Sequence, residues 1–137
     1  MLLQPKRTKH KKLKKKYLSN QILETKVYNL HFGNLGLKIL ESTKMSASQL
    51  EMMRYTITRG MQRKGKLWIN LFPSIPVTSK PTENRMGKGK GSTSYWVIPI
   101  KAGTMLFELQ GISKQEGFIV LKRVQKKLSF KTKIISR

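Results

Sequence analysis

SASQLEMMRYTITRGMQRKGKLWINLFP, residues 46–73, contains a change of period. Leu50, Met53, Ile57 and Met61 recur at intervals of three and four, which puts them on one stripe of a helix. Ser46 with Gln49, or Ser48 with Glu51, has the spacing of a capping box, in which a hydroxyl and a longer polar side chain satisfy each other's exposed amides. Gly65 suits the C-terminal cap, so the spacing predicts a helix over 46–64 with Arg59 and Arg63 one turn apart on its outer face. From Lys66 to Phe72 the pattern becomes that of a strand, and Pro73, which lacks an amide donor, ends it. The methionines in the helix read as core filler, since thioethers adapt to irregular gaps.

The same reading extends in both directions. Downstream, Tyr95–Ile100 and Met105–Leu109 read as two strands joined through Lys101–Thr104 as a hairpin. Ser113 with Glu116 opens a second helix through about Leu128, with Phe118, Leu121, Val124 and Leu128 inward and Lys122, Arg123 and Lys126 outward. A last strand covers Lys131–Ile135. Upstream, residues 26–41 suggest two short strands about Gly33 and Gly36. Between Pro73 and Thr93 the Pro and Gly content marks a long loop, interrupted by a short strand at Val77-Thr78. Strands, helix, strands, helix, strand is the order of an α+β fold, here a mixed sheet with two helices packed on it, a basic N-terminal extension and a long Gly/Lys loop. The division expected is an arm at 1–20 and one domain at 21–137, its functional loop at 81–93.

Charge narrows the partners. Lys and Arg number 29 against 6 acids, all Glu, for a net charge of +23 over 137 residues. So one-sided a surplus repels itself and favours a polyanion, nucleic acid first, because each phosphate neutralised releases counterions. Residues 6–16, KRTKHKKLKKK, hold eight Lys or Arg and one His, a density at which a free segment stays extended or disordered. The segment lacks the bulky apolar face that a membrane-surface helix needs. No Cys is present, so disulfides, thiolate metal sites and Cys nucleophiles are excluded, and no apolar run approaches the length of a membrane span.

Catalysis finds no constellation. His10 and His31 lack ligand or triad spacing. Nothing in the sequence places Glu83 beside Glu108. Gly60–Leu67 comes within one residue of a phosphate-binding P-loop, but Leu67 replaces the hydroxyl that would hold magnesium, and the segment ends a helix instead of joining a strand to one. Gly87-Lys88-Gly89-Lys90-Gly91 allows close backbone approach to a phosphate, and on composition alone it reads equally as a solvated loop tip. Trp68 and Trp96 fall in strands and read as core. No single-strand RNA signature appears, so recognition is expected to be of RNA shape and backbone.

PKRTK at 5–9, FGNLGLK at 32–38, SASQLE at 46–51, GKLWINLFP at 65–73, KPTENRMGKGKGS at 80–92, YWV at 95–97 and LFELQGI at 106–112 stand together in one order. In this the chain resembles the bacterial and organellar large-subunit ribosomal protein L-sixteen family over nearly its whole length. The resemblance implies an α/β-hammerhead-like fold, no cofactor and no enzymatic activity. It implies a protein on large-subunit rRNA near the peptidyl-transferase centre, among neighbouring large-subunit proteins, that helps position tRNA at the aminoacyl and peptidyl sites. By matching position it makes Lys6, Arg7, Thr8 and Lys9 rRNA-binding and Arg85, Met86, Gly87, Lys88, Gly89 and Lys90 the tRNA-proximal loop. Lys11 and Lys12 continue the arm, and Arg59, Arg63 and Lys64 complete the expected rRNA set. Asn70 departs from the family pattern, where Arg is usual, as does LKKKYLSN after the arm. The bias to Lys, 22 against 7 Arg, with many Ile and a family start at the first residue, suggests an organelle-encoded protein of the mitochondrial matrix. Plastid and bacterial cytoplasm are the alternatives. The competing function is a free-standing basic nucleic-acid-binding protein.

Overall fold

A computed structural model describes residues 3–14 and 30–137. Its elements are β1 (Leu35–Ile39), β2 (Thr43–Ser46), α1 (Ala47–Gly60), β3 (Lys66–Ile69), β4 (Ile75–Ser79), β5 (Ser92–Ile100), β6 (Met105–Gln110), α2 (Lys114–Gln125) and β7 (Thr132–Ser136). The class is α+β, as expected. The strands, however, do not form one mixed sheet. They divide into a four-stranded sheet of order β3-β6-β1-β7 and a three-stranded sheet of order β2-β5-β4, and every pairing is antiparallel. β5 and β6 therefore belong to different sheets, and the expected hairpin through Lys101–Thr104 is instead a crossing between them. There the Gly103 N–H donates to the Ile39 carbonyl at 2.7 Å, and the turn is tied to β1, not to a β5–β6 ladder.

Of the two capping boxes the sequence offers, Ser46 with Gln49 forms: the Gln49 N–H donates to Ser46 Oγ and the Ser46 N–H to Gln49 Oε1. The stripe Leu50, Met53, Ile57 and Met61 is buried. Full burial of each such side chain is worth about 1.5–3 kcal/mol, which makes this stripe a principal reason α1 holds. The helix stops earlier than expected. Met61 is its cap, and Gln62 and Arg63 take left-handed φ of 51° and 64°. Gly65 serves close approach instead, since a Cβ there would stand 2.7 Å from the Gln110 carbonyl oxygen.

α1 lies against β2 and β5, α2 against β1 and β7, and the helices touch each other. The core between them joins Leu37, Ile39, Phe107 and Leu109 of the larger sheet to the α1 stripe and to Val120, Leu121 and Val124. Phe118, expected inward, is exposed, because α2 turns Gly117, Val120, Leu121 and Val124 toward the core. Of the two strands expected around Gly33 and Gly36, the second is β1. The first falls partly on residues outside those described, and residues 30–34 form no strand.

Candidate nucleic-acid interface

β4 and β5 pair from Ile75↔Val97 to Ser79↔Ser92, so the Gly/Lys segment is the tip of a hairpin. Its functional stretch, expected at 81–93, gives up Ser92 and Thr93 to β5. Residues 80–90 are all exposed, and Met86 is fully so. Gly87, Lys88 and Gly89 take successive left-handed φ of 103°, 52° and 80°, a path open to the two glycines at no steric cost. A Cβ at Gly87 or Gly89 would meet nothing within 4 Å, so the glycines serve backbone conformation, not packing. The Lys80 ammonium donates to the Gly87 carbonyl at 2.6 Å and ties the tip back to its own base.

The arm reaches this hairpin. Lys12 Nζ donates to the Lys90 carbonyl at 2.7 Å, Lys90 Nζ donates to the Leu13 carbonyl, and Thr93 Oγ1 donates to the Lys11 carbonyl at 3.0 Å. Two lysines that repel as charges are thus each placed on the other segment's carbonyl dipole. Lys6, Arg7, Thr8, Lys9, Lys11 and Lys12 are all exposed. Arm and loop, separate in the sequence reading, form one cationic ridge at Lys11–Leu13 and Lys90. No periodic pattern signals a pairing between segments so far apart.

The basic set expected at the first helix is only partly assembled. Arg59 lies exposed in the last turn of α1. Arg63 does not continue its face: it lies beyond the cap with Lys64, both exposed, where the left-handed backbone has ended the helical phase. Beside Arg59 the fold brings Arg123, Lys126 and Lys127 of α2 and its end, a neighbourhood the linear sequence does not announce.

Glu108, which the sequence offers only as an acid without a partner in Glu83, has a structural role. It is fully buried on β6, and Oε2 accepts the N–H groups of His31, Phe32 and Gly33 at 3.0, 2.7 and 3.0 Å. Oε1 accepts from Asn70 Nδ2 at 2.8 Å. Burial pushes the carboxyl up, and the Gly33 and Phe32 amides, Asn70 and the His31 amide outweigh it, holding it below its ordinary value. The fixed loop lays Phe32 on Trp68, ring centroids 5.9 Å apart and 16° from parallel. Trp68 and Trp96 are half-buried, not core. Glu83 is exposed in the loop, so the two acids make no acid–base pair. Among the described residues no cluster of His, Cys, Asp or Glu could hold a metal, and no helix is long and apolar enough to cross a membrane.

Fold and surface together define a small α+β protein that presents exposed cations on the ridge formed by arm and hairpin and along the α1–α2 pair. The family described as Ribosomal protein L16p/L10e matches residues 5–135. Large ribosomal subunit protein uL16 of Psychrobacter arcticus is 48% identical over 136 residues, covering 99% of this chain and 98% of that protein. The protein of the same name from Allorhizobium ampelinum is 45% identical over the same shares, and that from Mesorhizobium japonicum 44%. The chain belongs to the ribosomal protein L16p/L10e family. It is a structural ribosomal protein of the large-subunit uL16 type and not an enzyme. These relatives are bacterial, so the compositional case for a mitochondrion finds no support in them, and the bacterial cytoplasm fits better.

Proposed function

We propose that the chain binds large-subunit rRNA near the peptidyl-transferase centre, beside neighbouring large-subunit proteins, and helps position tRNA at the aminoacyl and peptidyl sites of a bacterial-type ribosome. In this reading residues 1–20 are the rRNA-binding arm and 21–137 the domain. Lys6, Arg7, Thr8, Lys9, Lys11, Lys12, Arg59, Arg63 and Lys64 meet rRNA phosphates, and Arg85–Lys90 faces tRNA. The observation that carries it is the ridge: Lys11–Leu13 of the arm is hydrogen-bonded to Lys90 and Thr93 at the base of an exposed, Gly-opened loop tip. An arm held by rRNA would thereby set where the tip points. Backbone contact with tRNA accounts for the tip better than base reading does, because Arg85 alone there offers a rigid bidentate fork.

The test replaces Arg85, Lys88 and Lys90 with Ala together. Subunits should assemble with the variant at normal stoichiometry, while tRNA binding at the aminoacyl or peptidyl site falls. Collapse of assembly with normal tRNA affinity on surviving subunits would make the loop an rRNA anchor. A free-standing nucleic-acid-binding protein would part from the large subunit in a moderate-salt wash, whereas this chain should remain with it.

A further inference from the structure

We infer that the groove between the outer faces of α1 and α2 is a second RNA site, one that takes a phosphate backbone along its cations and packs a base or ribose on Tyr55. This rests on the rRNA reading above and deepens it. The groove has a volume of about 830 Å³, and Met52, Tyr55, Arg59, Arg123, Lys126 and Lys127 line it. Four of those six are cations and none is acidic. The helices can come close enough to share the groove because Gly60 has no side chain: a Cβ there would stand 2.7 Å from Val120 Cγ2.

Its parts are held in place. Lys127 Nζ donates to Thr56 Oγ1 at 3.0 Å across the helix pair. The single acid nearby on the same helix, Glu51, is engaged by Arg54 and so does not neutralise the groove. Arg54 in turn lies 4.3 Å from the centre of the Tyr55 ring, covering one face of a side chain that remains 51% exposed. Met52 beside it is 41% exposed. Cations with no acid among the described residues that line the groove, set around a flat apolar surface, match the two parts of a nucleotide strand, charge outside and ring faces within. An acidic peptide would satisfy the cations but leave Tyr55 and Met52 without a reason to be exposed.

The test uses the full chain and in vitro-transcribed full-length large-subunit rRNA, with affinity measured across salt. Replacing Arg123, Lys126 and Lys127 together with Gln should lower the log–log salt slope by roughly 2–3, at about 0.7–0.9 per lost phosphate contact. Lys126→Arg with Lys127→Arg should keep the slope. Tyr55→Leu should weaken binding about tenfold at unchanged slope, because stacking and not charge is lost. A folded triple variant with wild-type slope and affinity overturns the inference, as does a poly-glutamate peptide retained by the wild type and lost by that variant while rRNA binding stays the same. Gln at Lys6, Arg7 and Lys9 provides the separate control: if the arm variant loses rRNA affinity while the groove variant does not, only the groove assignment fails. If neither loses affinity, the rRNA reading itself fails.

Discussion

Glu108 carries an ion into the interior of a chain that has few acids to spare, and the geometry explains how it is tolerated. Three consecutive amides and one side-chain amide satisfy the carboxylate, each bond to an ion being worth more than a neutral one. With its folded pKa below the ordinary value of about 4.5, Glu108 contributes stability that is fully present above that pH. The contribution is lost as pH falls below about 4.5 and through the folded value. Glu108→Gln should cost about 1–3 kcal/mol near neutrality, since one amide group must face N–H donors. It should also make the acid side of the stability–pH curve shallower. Glu51, held low by its hydrogen bond to Arg54, keeps that side from becoming flat. Chemical denaturation across pH checks both effects, and an unchanged acid limb in the variant would refute this role. Gly33 belongs to the same knot. A Cβ there would stand 2.5 Å from the Leu109 carbonyl oxygen, so the FG pair of the sequence is a packing requirement beside β6.

At the level of elements, the informative unit is the β4–β5 hairpin with the arm laid against it. Hydrogen bonds to exposed carbonyls are individually modest, about 0.5–1.5 kcal/mol, so the ridge is ordered by several acting together. Lys12→Ala, Lys90→Ala and Thr93→Val combined should leave the fold intact and lower the backbone order parameters of residues 88–91, measured by NMR relaxation on the free protein. Equal order parameters in variant and wild type would mean that the arm does not position the tip. The helices show what periodicity conveys and what it omits. The stripe on α1 was legible because it repeats, and its capping box was legible as one of two local alternatives, between which the structure chose Ser46. Its early end was not, because Gln62 and Arg63, not glycine, take the left-handed turn. The inward face of α2 departs from the apolar periodicity at Phe118 because Gly117, a residue with no apolar side chain to read, sits against the sheet.

For the whole molecule, a net charge of +23 on 137 residues makes the folded chain repel itself. Free of its partner, the protein should gain stability with salt: as the screening length shortens from about 10 Å at 0.1 M toward 3 Å at 1 M, self-repulsion weakens. The Tm of the isolated chain should therefore rise with added KCl, whereas binding to rRNA weakens over the same range. A Tm that falls with KCl would show that attractive pairs, not repulsion, dominate the folded surface. Charge, the α+β class, both helices, the exposed Gly/Lys loop and the family were all readable in the chain, because each is local or compositional. The split into two antiparallel sheets, the burial of Glu108, the arm's seat on the hairpin and the groove between the helices were not. Those depend on partners far apart in sequence, 76 residues from Phe32 to Glu108 and 82 from Lys11 to Thr93. Their pairing follows from where the packed core leaves each surface, and no spacing along the chain encodes that.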